Sequence, residues 1–97
     1  MYVIVWTYEV AANNRVAFEA AYGPNGSWAL LFARAPGFIG VELMHDGGHR
    51  YATLDRWRDE DAFAAFKADH GGAYDALDAE CAALTTSEHK VGAFNLV

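Results

Sequence analysis

The chain reads as a small α+β fold in which two β-α-β units contribute to one antiparallel sheet. Four stretches rich in β-branched and aromatic residues alternate with helical periodicity in the order β-α-β-β-α-β. One hairpin signal sits at the centre. The length of 97 residues suits a single domain, and no linker, repeat or low-complexity tract divides it, so residues 1–97 are taken as one unit.

The first strand is predicted from Tyr2 to Val10. Tyr2, Ile4, Trp6 and Tyr8 fall on one face and Val3 and Val5 on the other, so both faces ask for cover. Helices can supply one cover and a second subunit the other. Trp6 is expected in the core. Asn13 or Asn14 is positioned to cap a helix reaching about Tyr22, in which Phe18, Ala21 and Tyr22 share a face. Gly23-Pro24-Asn25-Gly26 breaks the chain, and Ser27 is expected to cap a short helix carrying Trp28, Leu31, Phe32 and Ala35 on one stripe. Pro36-Gly37 ends it.

Phe38–His45 and Arg50–Trp57 are the next two strands, joined through Asp46-Gly47-Gly48-His49, whose glycines can take positive φ. Asp59 is the expected cap of the following helix, with Glu60 and Asp61 in the first turn, where the helix dipole favours negative charge. His70-Gly71-Gly72 is expected to interrupt this helix. A further helix then carries Tyr74, Leu77, Cys81 and Leu84, and Ser87–Val97 closes the chain as a strand. The whole is the ferredoxin-like plan: a four-stranded antiparallel sheet with helices on one face.

The formal net charge of −6 argues against nucleic acid and anionic membranes as partners and is otherwise a solubility feature. Apolar residues make up 54 %, with three Trp, five Tyr and six Phe, which is much apolar surface for so short a chain and points to an oligomer. There is no run approaching the ~20 apolar residues of a membrane span and no basic start resembling a signal peptide. The single cysteine fits a reducing compartment. The expected location is the cytoplasm.

The strand YVIVWTYEV, the segment AYGPNGSWALLFARAPGFIGVEL, the run YATLDRWRDEDAFAAF and the ending LTTSEHKVGAFNLV resemble an antibiotic-biosynthesis monooxygenase domain across nearly the entire chain. These are turn, cap and packing features, so they identify a fold before an activity. The resemblance implies a homodimer in which two sheets pair into a dimeric α+β barrel, with a pocket between sheet and helices in each subunit. It also implies, for some members, oxidation of phenolic or quinol-like small aromatics by molecular oxygen without flavin, haem or metal.

Such chemistry needs an apolar pocket and a group that takes the phenolic proton or holds the oxyanion. Trp28, Trp57, Phe63 and Phe66 are the candidate substrate-binding walls, although large aromatics at these spacings also build a core. His70 and Tyr74 are the candidate catalytic residues. The alternatives are that His70 caps a helix and that Tyr74 heads a core stripe with Cys81. His45, Asp46 and His49 bracket a turn without a clear further ligand, so no metal site is assigned. Asp55, Arg56, Arg58 and Asp59 are read as a solvated or interface charge network. The haem-degrading members carry an Asn, a Trp and a His where Trp6, Phe66 and Ala76 stand here, so the resemblance implies no haem. A non-catalytic dimeric binding or stress-response domain is the alternative function, and isomerase or dehalogenase-like chemistry is a third.

Overall fold

Residues Tyr2–Glu9 form the central strand, β1, because every second side chain is a large apolar group that must leave water. The computed structural model describes residues 1–97, all of which are placed. After a 3₁₀ turn at Ala12–Asn14 come helices α1 (Arg15–Tyr22) and α2 (Ser27–Phe32). Strands β2 (Phe38–His45) and β3 (Arg50–Trp57) follow, then helix α3 (Glu60–Cys81) and strand β4 (Ser87–Asn95).

The sheet order is β2-β3-β1-β4, with all neighbours antiparallel. That order follows from connectivity: β2 and β3 are a hairpin, while the helical segments carry the chain across the sheet so that β1 lies between β3 and β4. The hairpin turns at Gly47, whose φ of +90° suits glycine. The Asp46 carboxylate closes the turn by accepting from the backbone N–H of Gly48 at 2.8 Å and of Arg50 at 3.3 Å.

The helices cover one face. Tyr2, Ile4 and Tyr8 of β1 and Tyr51, Thr53 and Trp57 of β3 are buried beneath Phe18, Tyr22, Phe32 and Phe66. The opposite face has no helix. Cross-strand register puts Val3, Val5, Leu54 and Phe94 there, with Met44 beside Ala52, and Phe94 is 54 % exposed.

Three local expectations differ from the structure. Asn14 occupies the N-cap position of α1, but its amide donates to the Ala83 carbonyl at 3.3 Å and ties that helix to the segment after α3. The N-cap of α2 is Gly26, with Ser27 already helical, because the preceding backbone passes too close for a side chain: a Cβ there would lie 2.6 Å from the Ala21 carbonyl oxygen. The expected interruption is present: within Glu60–Cys81 two helical segments meet at a kink at His70 (φ −124°, ψ 20°), and Gly71-Gly72 open the second segment. Two helical glycines cost about 2 kcal/mol; packing of Phe66 on one side and Cys81 on the other outweighs that. Trp6, expected in the core, is only partly buried. The Asp59 cap is as expected, accepting from the Ala62 N–H at 2.8 Å.

Gly37 joins α2 to β2 at φ +94°, and a Cβ there would stand 2.7 Å from Cβ of Ala62 in α3. Both the conformation and the contact oppose any side chain. Gly37→Ala is expected to lower stability by about 1–3 kcal/mol, measured as a shift in urea midpoint at unchanged slope.

Candidate active site

Beneath α1, α2 and α3 the sheet does not close completely. A cavity remains between β1, β3 and the helices, lined by Trp6, Tyr8, Trp28, Phe32, Asp55 and Tyr74, with Tyr22, Val41, Thr53, Asp78 and Glu88 completing the wall. Its empty space, open to solvent at the mouth, amounts to about 430 Å³.

Asp55 is the unexpected member. It shares the helix-covered face of β3 with Tyr51, Thr53 and Trp57, since alternate residues of a strand point the same way. Its carboxyl makes no ion pair and no hydrogen bond to a protein group. Burial alone pushes its pKa from 3.8 up to about 7. The expected charge network is thus broken up. Arg56 lies on the uncovered face, paired with Glu42; Arg58 meets Asp59 at 3.3 Å in solvent; and Asp55 is left in the cavity wall without a cationic partner.

The tyrosines hold their protons. Burial raises Tyr74 to about 12, and nearby carboxylates push in the same direction. Tyr8 and Tyr22 are raised further, again chiefly by burial. At neutral pH all three remain O–H donors. Tyr8 already shares a hydrogen bond with Thr53 at 3.0 Å. Trp28 Nε1 is buried without a hydrogen bond of good geometry, although it is close enough to Tyr22 and Cys81 to lower the pKa of each slightly against the effect of burial.

The structure brings Trp28 and Tyr74 together, edge to face at 5.1 Å, in the cavity wall. It places the other candidates elsewhere. Trp57, Phe63 and Phe66 pack on one another under α3, with Trp57 and Phe66 fully buried. His70 stacks on Phe66 at 5.5 Å, at the bend of α3, and is not part of the lining. His45 stacks on Tyr51 at 4.4 Å near Arg15, and no group of three or more His, Cys, Asp or Glu side chains is arranged around a metal position. No helix is long and apolar enough to cross a membrane.

A ferredoxin-like sheet with an aromatic cavity under its helices, and the Asp55 carboxyl without a partner in its wall, is the kind of site at which proteins commonly hold small organic molecules. The chain belongs to the antibiotic biosynthesis monooxygenase family, whose model matches residues 1–70. Among solved structures it is similar to SnoaB, a cofactor-independent oxygenase from Streptomyces nogalater, at 25 % identity and a TM-score of 0.71, over 99 % of this chain and 92 % of that one. It is also similar to the monooxygenase ActVA-Orf6 of Streptomyces coelicolor, solved with nanaomycin D, at 18 % identity and a TM-score of 0.75, over 99 % and 87 %. A further neighbour is a point mutant of MhuD with two manganese protoporphyrin IX bound per active site, at 25 % identity and a TM-score of 0.58, over 100 % and 95 %. The search of curated proteins gives no match. No histidine lines the cavity of the present chain, so these residues do not fit a haem held through an imidazole.

Proposed function

We propose that this chain is a cofactor-independent monooxygenase that oxidises a phenolic or quinol-like aromatic, acting as a homodimer. Family membership and the likeness to SnoaB support the reaction class. The observation that carries the reading is the unpaired Asp55 carboxyl in an aromatic cavity, with a pKa near the working pH.

A phenol is a poor reductant of oxygen until it loses its proton. Asp55 accepts that proton, since a base near pKa 7 is ionised often enough to act and basic enough to be useful. The Tyr74 hydroxyl, held neutral, donates to the resulting oxyanion. Trp6 and Phe32 form apolar walls. The electron-rich anion then reduces oxygen directly. The ring C–H para to the oxyanion becomes C=O; its hydrogen and the phenolic proton taken up by Asp55 leave with the second oxygen atom as water, and the ring supplies the four electrons as it becomes a quinone. His70, outside the cavity, is assigned a positioning role at the bend of α3.

The test is oxygen uptake by metal-stripped protein with hydroquinones, naphthoquinols and anthrones. Saturable uptake above the uncatalysed rate is expected. Binding without uptake would favour the non-catalytic binding domain instead.

The uncovered sheet face, with Val3, Val5, Leu54 and Phe94, suits a second copy of the chain. Sedimentation equilibrium at micromolar concentration is expected to give twice the 10.6 kDa chain mass. A stable monomer would remove the dimer from this reading.

A further inference from the structure

The cavity mouth is acidic and has no counter-charge. Asp78 of α3 and Glu88 of β4 both stand at it, and both also line an adjoining surface groove with Tyr22, Thr85 and Ser87. No arginine, lysine or histidine lines either space. Glu88 is harder to ionise than usual because of partial burial, reinforced by the charge of Asp78, so the two carboxylates feel each other. Neither carries an ion pair or a side-chain hydrogen bond; the ion pairs of the chain are Arg56–Glu42 and Arg58–Asp59. The nearest cations stand outside both linings: Lys67 sits 3.5 Å over the Tyr74 ring, and Lys90, opposite Trp6, shares the face of β4 that carries Glu88.

An aromatic wall sits beside this charge. The rings of Tyr22, Trp28 and Tyr74 line the cavity, and a cation near an aromatic face is attracted by its quadrupole. Trp28 is 7 % exposed, and its Nε1, buried without a well-formed hydrogen bond, lies close to Tyr22 and Cys81 behind the cavity wall. The aromatic wall thus suits a ring and the mouth suits a positive charge.

We propose that the cavity recognises phenolic aromatics bearing a protonated amine, with the ring against the wall formed by Trp28 and Tyr74 and the ammonium near Asp78 and Glu88 at the mouth. The same geometry disfavours phenols that carry a carboxylate. This inference rests on the proposed function only in taking this cavity as the ligand site; it does not require that the ligand be oxidised.

The experiment is anaerobic titration calorimetry of the full chain with three para-substituted phenols of similar size: tyramine as the cation, tyrosol as the neutral reference and 3-(4-hydroxyphenyl)propionate as the anion. Tyramine is expected to bind about tenfold tighter than tyrosol, and the propionate about tenfold weaker. In the double variant Asp78→Asn/Glu88→Gln the tyramine preference is expected to fall to about threefold or less. Both positions are exposed, and tyrosol binding reports whether the variant is folded. Equal binding of anion and neutral phenol would overturn the proposal. So would a preference that survives the double variant, because it would then come from the overall charge of −6. Absence of binding by all three also counts against it. Without oxygen no turnover contributes, so tyramine selectivity with no aerobic oxygen uptake would retain this inference and reject the oxygenase. The reverse pattern would do the opposite.

Discussion

Asp55→Asn is expected to lower oxygen-dependent turnover of a quinol substrate by about 10²–10⁴-fold, the usual contribution of a positioned base. The amide keeps the size of the carboxyl and removes only its ability to take a proton. In the parent protein kcat/KM is expected to rise with pH through a limb centred near 7, where the buried carboxyl ionises. In the variant that limb disappears. His70→Phe, at the bend of α3, is expected to retain both the limb and most of the rate. If Asp55→Asn kept the full rate and the same pH limb, the proton would be going elsewhere.

The same substitution has a consequence for stability, of opposite sign to its effect on activity. The folded pKa of Asp55 is raised from 3.8 to about 7, so the unfolded chain ionises this group more readily than the folded one. The penalty is absent below pH ~4, grows as pH rises between the two values, and is fully present above 7. At ~1.4 kcal/mol per pKa unit it amounts to about 2–4 kcal/mol. Asp55→Asn is therefore expected to unfold at higher urea concentration than the parent at pH 8, with the difference vanishing near pH 4. Loss of function with gain of stability is the signature of a group kept buried for its chemistry.

Trp57→Ala is expected to cost about 3–5 kcal/mol. The ring is fully buried, and its centroid lies 5.2–5.4 Å from those of Phe32, Phe38, Phe63 and Phe66. It ends β3 and holds α2 and α3 to the sheet, so truncation leaves a void that three elements would have to collapse to fill. A domain of this size has about 5–15 kcal/mol in total, and the loss would bring it close to unfolding at room temperature. Trp57→Phe should be much milder. It keeps most of the packing and removes a buried Nε1–H that has no acceptor, which partly offsets the smaller ring. Chemical denaturation of both variants tests this; equal losses would mean that the indole N–H is satisfied or that the smaller ring leaves as large a void.

Much of the fold could be read in the residues because its signals are local. The β2 and β3 ranges, the Asp59 cap and the buried Phe18, Ala21 and Tyr22 stripe follow from alternation, capping chemistry and helical spacing. Asn14 stands at the expected cap of α1 but bonds elsewhere, and the cap of α2 falls on Gly26 in place of Ser27; both differences share one cause. A polar side chain near a helix start has several partners in reach, and the distant Ala83 carbonyl and the close backbone at Gly26 decide among them. The site was harder. Trp28 and Tyr74 were visible as aromatics on helix faces, but so were Phe63 and Phe66, and nothing in spacing separates a cavity wall from a core. Asp55 did have a signal: it alternates with Tyr51, Thr53 and Trp57, which puts a carboxyl on a buried strand face. Its neighbours Arg56, Arg58 and Asp59 masked that signal by suggesting a charge network.

By itself, then, the sequence determined the order of elements, the antiparallel sheet and the apolar face that each element turns inward, since these depend on periodicity and on side-chain size. Only the tertiary structure decided which aromatics meet and which leave a gap, that Asp55 is left without a partner while Arg56 crosses to the other face, and that His70 bends a helix outside the cavity. Those outcomes depend on how three helices settle on a twisted sheet. Shifts of an ångström there separate a packed ring from a ligand wall, and a paired carboxylate from one whose pKa stands near neutrality.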